Sequence, residues 1–306
     1  MALNIKTLTT RTLTAAVFVA VLLTCINLSF LSFVGLFFIV SLWGLYEFYQ
    51  LAEKLGAQPY RVFGYICGMF VFGAGILANM NNTDFLGDPV LILKIHKLAK
   101  VFWMLALLMC FGFFVRALFG KEQNPVLNIA YTLAGVVYAV LPFTMLTYAT
   151  CIQKAFASIH IVPVVGPLVA PYNPHIILGV ILLIWVSDSG AYLVGSLMGK
   201  HKLYERISPG KTWEGSIGGA VITMGCSYVI AMWYPEIAFK HWIVIALMVC
   251  VFGTIGDLIE SMLKRQAGVK DSGKIMPGHG GILDRFDSLL FVSPFVLAYL
   301  YLVVSP

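Results

Sequence analysis

Residues 174–197 read PHIILGVILLIWVSDSGAYLVGSL, 24 residues with one formal charge, Asp188. At 1.5 Å per residue a helix of that length rises about 36 Å, enough to clear the roughly 30 Å hydrocarbon core of a bilayer. A run apolar on every face needs lipid or protein around its whole circumference, so it reads as a transmembrane helix. Comparable runs recur at about 12–28, 31–50, 62–79, 98–119, 125–149, 214–233, 241–262 and 284–303. They are continuous rather than alternating, which excludes a transmembrane β-barrel. The chain has 306 residues, 60% of them hydrophobic and 11% charged, against about 25% charged in a soluble domain. The expected fold is an all-α polytopic membrane protein of about nine transmembrane helices.

Turn-forming residues punctuate the runs: Pro59, the polar stretch 79–89, the short turn 121–125, the Pro-rich connection 163–174 and Tyr234-Pro235-Glu236. With the N-terminus in the cytoplasm, the loops at 51–61, 120–124, 198–213 and 263–283 all lie inside. Of the 20 basic residues only Lys94, Lys97, Lys100, Lys154 and Lys240 then fall outside, which is the positive-inside bias. Lys6 and Arg11 precede the first run in the manner of a signal peptide. The run has no small-x-small cleavage site and leads almost directly into the second, so it is expected to be a retained span. The net charge of +6 fits that bias and an anionic lipid surface. No module with interleaved aromatic and basic residues suggests a nucleic-acid partner. The six cysteines are scattered, with no CxxC pair.

The two halves differ. Residues 1–150 are nearly featureless apolar sequence, an N-terminal transmembrane scaffold. Residues 151–306 are expected to be a catalytic transmembrane region with cytoplasmic motif loops, integrated with the first half as one domain. Almost all the unusual polar residues lie between 185 and 287.

Four clusters carry the chemistry. Asp188, inside a span, needs a partner or a cation because an isolated buried carboxylate is costly; it reads either as a hydrogen-bond hub or as a substrate or metal contact. Ser208-Pro209-Gly210-Lys211-Thr212 stands just before a helix start, where backbone N–H groups favour anions, but it lacks the spacing of a P-loop. Asp257, Glu260 and Ser261 share one helix face, continued by Lys264. Asp284 and Asp287 share a face at the start of the last run, beside Arg285. Carboxylates on two helices at a membrane edge make an oxygen-rich site suited to Mg²⁺; salt bridges to Lys264, Arg265 and Arg285 are the alternative reading. His279 has no partner His or Cys for a zinc site, and Gly280 and Gly281 suit close backbone approach to a phosphate. Glu47, near Trp43 and Tyr46, reads as a packing or interfacial residue, with a site role open.

Taken in order, Ser261, Lys264-Arg265, Lys270-Asp271, Gly273, His279-Gly280-Gly281, Asp284-Arg285 and Asp287 form a signature that resembles the phosphatidate cytidylyltransferase (CDP-diacylglycerol synthase) family. Asp188 and the Ser208–Thr212 stretch are also similar to it. Met276 departs conservatively from the Leu, Ile or Phe usual there. The likeness covers roughly the last 120 residues. It implies transfer of a cytidylyl group from CTP to phosphatidate, with Mg²⁺, at a bacterial-type inner membrane with the active-site loops facing the cytoplasm. A homodimer is compatible with it. The resemblance implies Asp257 and Asp284 as first metal ligands, with Asp287 and Asp188 in support. It implies Lys211, Lys264, Arg265, Lys270 and Arg285 as phosphate clamps. Ser261 then belongs with the catalytic group, and Ser208, Thr212, Asp271, His279, Gly280 and Gly281 with substrate binding. Two other readings compete: a CTP-dependent polyprenol or phytol kinase, and an ion-coupled transporter using Asp188 and Glu260. The unbroken 261–287 signature disfavours the first, and convergence of the polar residues on one face disfavours the second. A CDP-alcohol phosphotransferase is disfavoured by the absence of its DxxDGxxAR run.

Overall fold

The structure, a computed structural model, describes residues 5–80, 89–150, 172–276 and 280–304. Among these residues, nine helices are long and apolar enough to cross a membrane. They are α1 Ile5–Leu28, α2 Phe30–Lys54, α3 Arg61–Asn79, α4 Pro89–Phe119, α5 Pro125–Ala149, α6 His175–Met198, α7 Trp213–Trp233, α8 Phe239–Gln266 and α9 Leu283–Val304. Each expected run falls on one of them, with ends shifted by a few residues; α4 begins nine residues earlier than its run.

Local chemistry fixes several ends. Ser29 caps α2 in a reciprocal pair with Ser32, which separates α1 from α2 by one residue. Pro125 opens α5 at a position where its missing N–H costs nothing. Thr212 caps α7, accepting from Gly215 N at 3.2 Å. Turns of π-helix interrupt α5 at Val136–Val140 and α8 at Val249–Gly253, and end α9 at Leu300–Val304.

The segment before α7, expected as a loop, is instead a two-stranded antiparallel hairpin. Strand β1 is Lys202–Tyr204 and β2 is Ser208–Thr212, with Lys202 opposite Thr212 and Tyr204 opposite Ser208. Glu214 ties its base to α7 by accepting from the backbone N–H of Lys200 and His201 and facing His201 Nδ1 at 2.5 Å.

Helices α6 and α7 run together along a seam of small residues. A Cβ on Gly219 would lie 2.8 Å from the backbone N of Ala191, so only glycine permits that approach. The core gathers where α1, α2, α5 and α9 meet. Phe286 lies 5.6 Å from Phe18, 6.1 Å from Phe37 and 5.5 Å from Phe143, ring centre to ring centre. That aromatic anchor fixes the first turn of α9 and thereby aims Asp284 and Asp287.

Candidate active site

A cleft of about 760 Å³ lies between α1, α6, the hairpin, the second half of α8 and the start of α9. Asp188, Ser208, Lys211, Thr212, Asp257, Asp284, Arg285 and Asp287 all line it. Four sequence clusters spread over a hundred residues therefore meet in one place. The opposite wall is largely apolar and includes Ala15, Phe18 and Val19 of α1 and Trp185 of α6.

The π turn in α8 ends four residues before Asp257. Such a turn rotates the face that follows. Beyond it α8 becomes amphipathic, with Asp257, Glu260, Ser261 and Lys264 on one side. Lys211 Nζ reaches across from β2 to Asp257 Oδ2 at 2.6 Å, and Ser261 Oγ donates to Asp257 Oδ1 at 3.2 Å. Asp287 Oδ1 accepts from Ser288 N at 2.6 Å. Asp188 and Arg285 make no side-chain hydrogen bond or ion pair among the described residues and face the cleft unspent.

Asp284 is placed differently from its neighbours. Its Oδ1 accepts from Lys264 Nζ at 2.5 Å. Its Oδ2 accepts from Ser272 N at 2.8 Å, Ser272 Oγ at 2.9 Å and Gly281 N at 2.8 Å. Lys264 is also ion-paired with Glu260, which is fully buried. Neither Glu260 oxygen makes an aligned hydrogen bond among the described residues, so the contact is one of charge.

Glu47 completes this network from α2, in the half read as scaffold. It is 1% exposed. Its Oε1 accepts from Ile282 N at 3.0 Å, and its Oε2 accepts from Leu283 N at 3.0 Å and Ser272 Oγ at 2.9 Å. A carboxylate there satisfies N–H groups that the first turn of α9 leaves unpaired, and it sits at the favourable end of the helix dipole. Sequence reasoning left the role of Glu47 open and missed Ser272. The available signal was an ionisable residue within a span, which needs a named partner.

The remaining expected site residues separate. Ser261 and Lys264 lie buried just behind the cleft. Arg265 is exposed and reaches the carbonyl of Val269 at 3.4 Å. Lys270 and Asp271 line a different cleft, described below. Gly280 takes φ +82°, a left-handed conformation suited to glycine, and Met276 N donates to Gly280 O at 3.1 Å. Gly281 is pressed against the Glu47 carboxylate and Ser272 Oγ, leaving no room for a Cβ. His279 lies outside the described residues.

The donors facing the cleft are hard oxygens, the ligand type that Mg²⁺ takes. No three His, Cys, Asp or Glu side chains converge as a ready-made metal cage among the described residues. That pattern fits an ion that is held by one or two carboxylates and completes its shell with water and substrate phosphates. By this criterion Asp257, Asp287 and Asp188 fit better than Asp284, whose two oxygens already serve four donors.

A family model for the cytidylyltransferase family matches residues 9–303, so the likeness extends through both halves and not only the last 120 residues. Among curated relatives, the phosphatidate cytidylyltransferase of Staphylococcus aureus (strain COL) is 50% identical over 125 residues, which is 39% of this chain and 46% of that protein. The phosphatidate cytidylyltransferase of Staphylococcus haemolyticus (strain JCSC1435) is 48% identical over 122 residues, with the same coverage. These matches span about half the length of the relatives. With the family match running almost end to end and the signature carboxylates and Lys211 gathered in one cleft, the chain belongs to the cytidylyltransferase family.

Proposed function

We propose that the protein transfers the cytidylyl group of CTP to phosphatidate, giving CDP-diacylglycerol and pyrophosphate for phospholipid biosynthesis. The observation that carries this reading is the double character of the cleft. Its floor holds Lys211, Arg285 and the aspartates, and its wall is the apolar face of α1. A lipid phosphate fits such a space with its head on the floor and its chains toward the bilayer.

In the reaction a phosphate oxygen of phosphatidate attacks the α-phosphorus of CTP. The bond from that phosphorus to the bridging oxygen breaks, and pyrophosphate leaves with that oxygen. Phosphatidate is already ionised near neutral pH, so proton removal is a minor demand. The obstacle is repulsion between two polyanions, and fixed cations lower it where charge develops. Lys211, now paired with Asp257, exchanges that partner for a phosphate oxygen. Arg285, unpaired and facing the cleft, offers the forked donor geometry that suits phosphate. Mg²⁺, when bound, neutralises polyphosphate charge; Asp257 and Asp287 would hold it, with Asp188 in support. Lys264, Asp284 and Glu47 fix the first turn of α9 and so the direction of Arg285 and Asp287.

Basic-residue asymmetry supports a cytoplasmic N-terminus and cytoplasmic motif loops, the side on which CTP is found. The relatives named above are bacterial, in keeping with a bacterial cytoplasmic membrane. A homodimer is compatible with this reading. Purified full-length protein in detergent should form CDP-diacylglycerol and pyrophosphate in equal amounts from CTP and phosphatidate. Chelation should abolish the reaction and Mg²⁺ restore it. Phosphorylation of a prenol without any CDP-lipid would contradict the proposal.

A further inference from the structure

A second cleft, of about 670 Å³, lies between the end of α2 and the loop 269–275. Its polar rim carries Lys54, Lys270 and Lys274, all exposed. None of the three ammonium groups makes a hydrogen bond or ion pair among the described residues. Asp271 stands at the same rim, so the free charge there is net positive, and the Glu47 carboxylate in the wall is already held by the backbone N–H groups of Ile282 and Leu283. Trp43 and Tyr46, 42% and 38% exposed, line the end of the cleft nearer the middle of α2. Eleven residues, roughly 16 Å of helix, separate Trp43 from Lys54. The cleft thus runs from cations at a span end to aromatic rings within the span.

The aromatic part is held in place. The rings of Trp43 and Tyr46 meet edge-on, 6.1 Å apart. Gln50 Nε2 donates to Tyr46 Oη at 2.7 Å, and the Arg61 guanidinium lies 5.8 Å from the Tyr46 ring centre. Unpaired lysines above ordered rings at a membrane edge match an anionic lipid: phosphate at the rim, glycerol and upper chain along the rings. Inorganic phosphate would satisfy the lysines but would leave the rings without an apolar partner; a nucleotide base stacks on such rings, so competition by CTP is the contrasting outcome in the test below.

The loop on which Lys270 and Lys274 sit also carries Ser272. Its Oγ is 2.9 Å from both Glu47 Oε2 and Asp284 Oδ2, and its one proton serves one carboxylate at a time. We propose that this second cleft binds the phosphate headgroup of an anionic membrane lipid, separately from the reacting cleft, and that a bound headgroup sets the position of Asp284 through Ser272. The binding claim goes beyond the cytidylyltransferase reading and does not depend on it; the coupling claim is read through that activity.

The test uses the full-length protein in phosphatidylcholine nanodiscs containing a photoactivatable phosphatidylglycerol, with labelled peptides mapped by mass spectrometry. Label is expected within residues 43–54 or 269–275. Unlabelled phosphatidylglycerol should remove it, and millimolar CTP or inorganic phosphate should not. Lys54→Gln with Lys274→Gln, two exposed positions, should cut that label at least fivefold while the protein still elutes as a single folded species. Asp257→Asn, which stops the proposed turnover, should leave it unchanged, so loss of the reaction and loss of the site are read separately. Raising phosphatidylglycerol at fixed phosphatidate should change wild-type turnover at least twofold and leave the double variant flat. Label absent from both segments, label unaffected by the double variant, or competition by CTP or phosphate alone would overturn the lipid site. An equal response of both proteins to phosphatidylglycerol would overturn the coupling to Asp284.

Discussion

Asp257 and Asp284 resemble each other in the sequence, and the structure gives them different work. Asp257 faces the cleft with its side chain 30% exposed and one lysine partner. Asp257→Asn is expected to lower turnover by at least about 10²–10³-fold, the usual effect of losing one fixed charge term at a reacting centre, while stability changes by no more than about 1 kcal/mol for a partly exposed pair. Asp284→Asn should lose activity and also stability, by about 3 kcal/mol, because Lys264 and three further donors lose a buried charge. Turnover assays with thermal melting in the same detergent separate the two outcomes. Normal turnover of Asp257→Asn at saturating Mg²⁺ would remove it from the metal site. The shared face of Asp284 and Asp287 was legible from their spacing alone. The four donors of Asp284 and the three of Glu47 were not, since Glu47 meets Ser272 across 225 positions and no local pattern marks such a contact.

Among the elements, the pairing of α8 with α9 controls the site. Gly256 sits at their crossing, where a Cβ would come within 2.6 Å of the Asp287 carbonyl oxygen and 2.7 Å of Phe291 Cβ. Gly256→Ala should wedge the helices apart at a cost of about 1–3 kcal/mol and separate Asp257 from Asp287, so activity should fall although no polar side chain has changed. A melting curve and a turnover assay check both effects; unchanged turnover would show that the crossing does not set the site. The connection between α7 and α8 gives a pH-dependent prediction. Burial pushes the Glu236 carboxyl up, but hydrogen bonds from His175 and Asn173 outweigh it and hold the group below its ordinary value of 4.5. A carboxyl depressed in the folded state contributes stability above its unfolded value and loses it as pH falls through the folded one. Melting temperature should therefore fall below about pH 4.5 more steeply in the wild type than in Glu236→Gln; parallel curves would contradict this. The spans were legible because each is a continuous run of about twenty apolar residues. The hairpin was not, because its strands are short and Pro209 and Gly210 hide any alternation. The π turns leave no mark in composition.

At the scale of the whole molecule, both motif-bearing segments lie on one side. Lys211 of β2 reaches Asp257 of α8, and the loop after α8 returns to Asp284, so the hairpin and residues 269–276 stand at the same end of the helices. Cysteines placed at Lys202 and Lys274 in a cysteine-free background should both be reached by a membrane-impermeant reagent from the cytoplasmic side only; labelling of either from outside intact cells would refute the orientation. Convergence of three of the four clusters was foreseeable because they crowd into span ends; Asp188, inside α6, is the exception. The split between two clefts was not foreseeable: Lys264 pairs with Asp284 of the first cleft, yet six residues on, past a turn at Gly268, φ +69°, Lys270 lines the second. The central claim, that a cytidylyl group moves to a lipid phosphate, is tested most directly by the fate of labelled phosphorus. Purified protein is supplied with unlabelled phosphatidate, Mg²⁺ and CTP labelled at either the α- or the γ-phosphorus. The account predicts that α-label enters the lipid fraction and γ-label leaves as pyrophosphate. Entry of γ-label into lipid, with α-label remaining in soluble CDP, would contradict it and indicate a kinase.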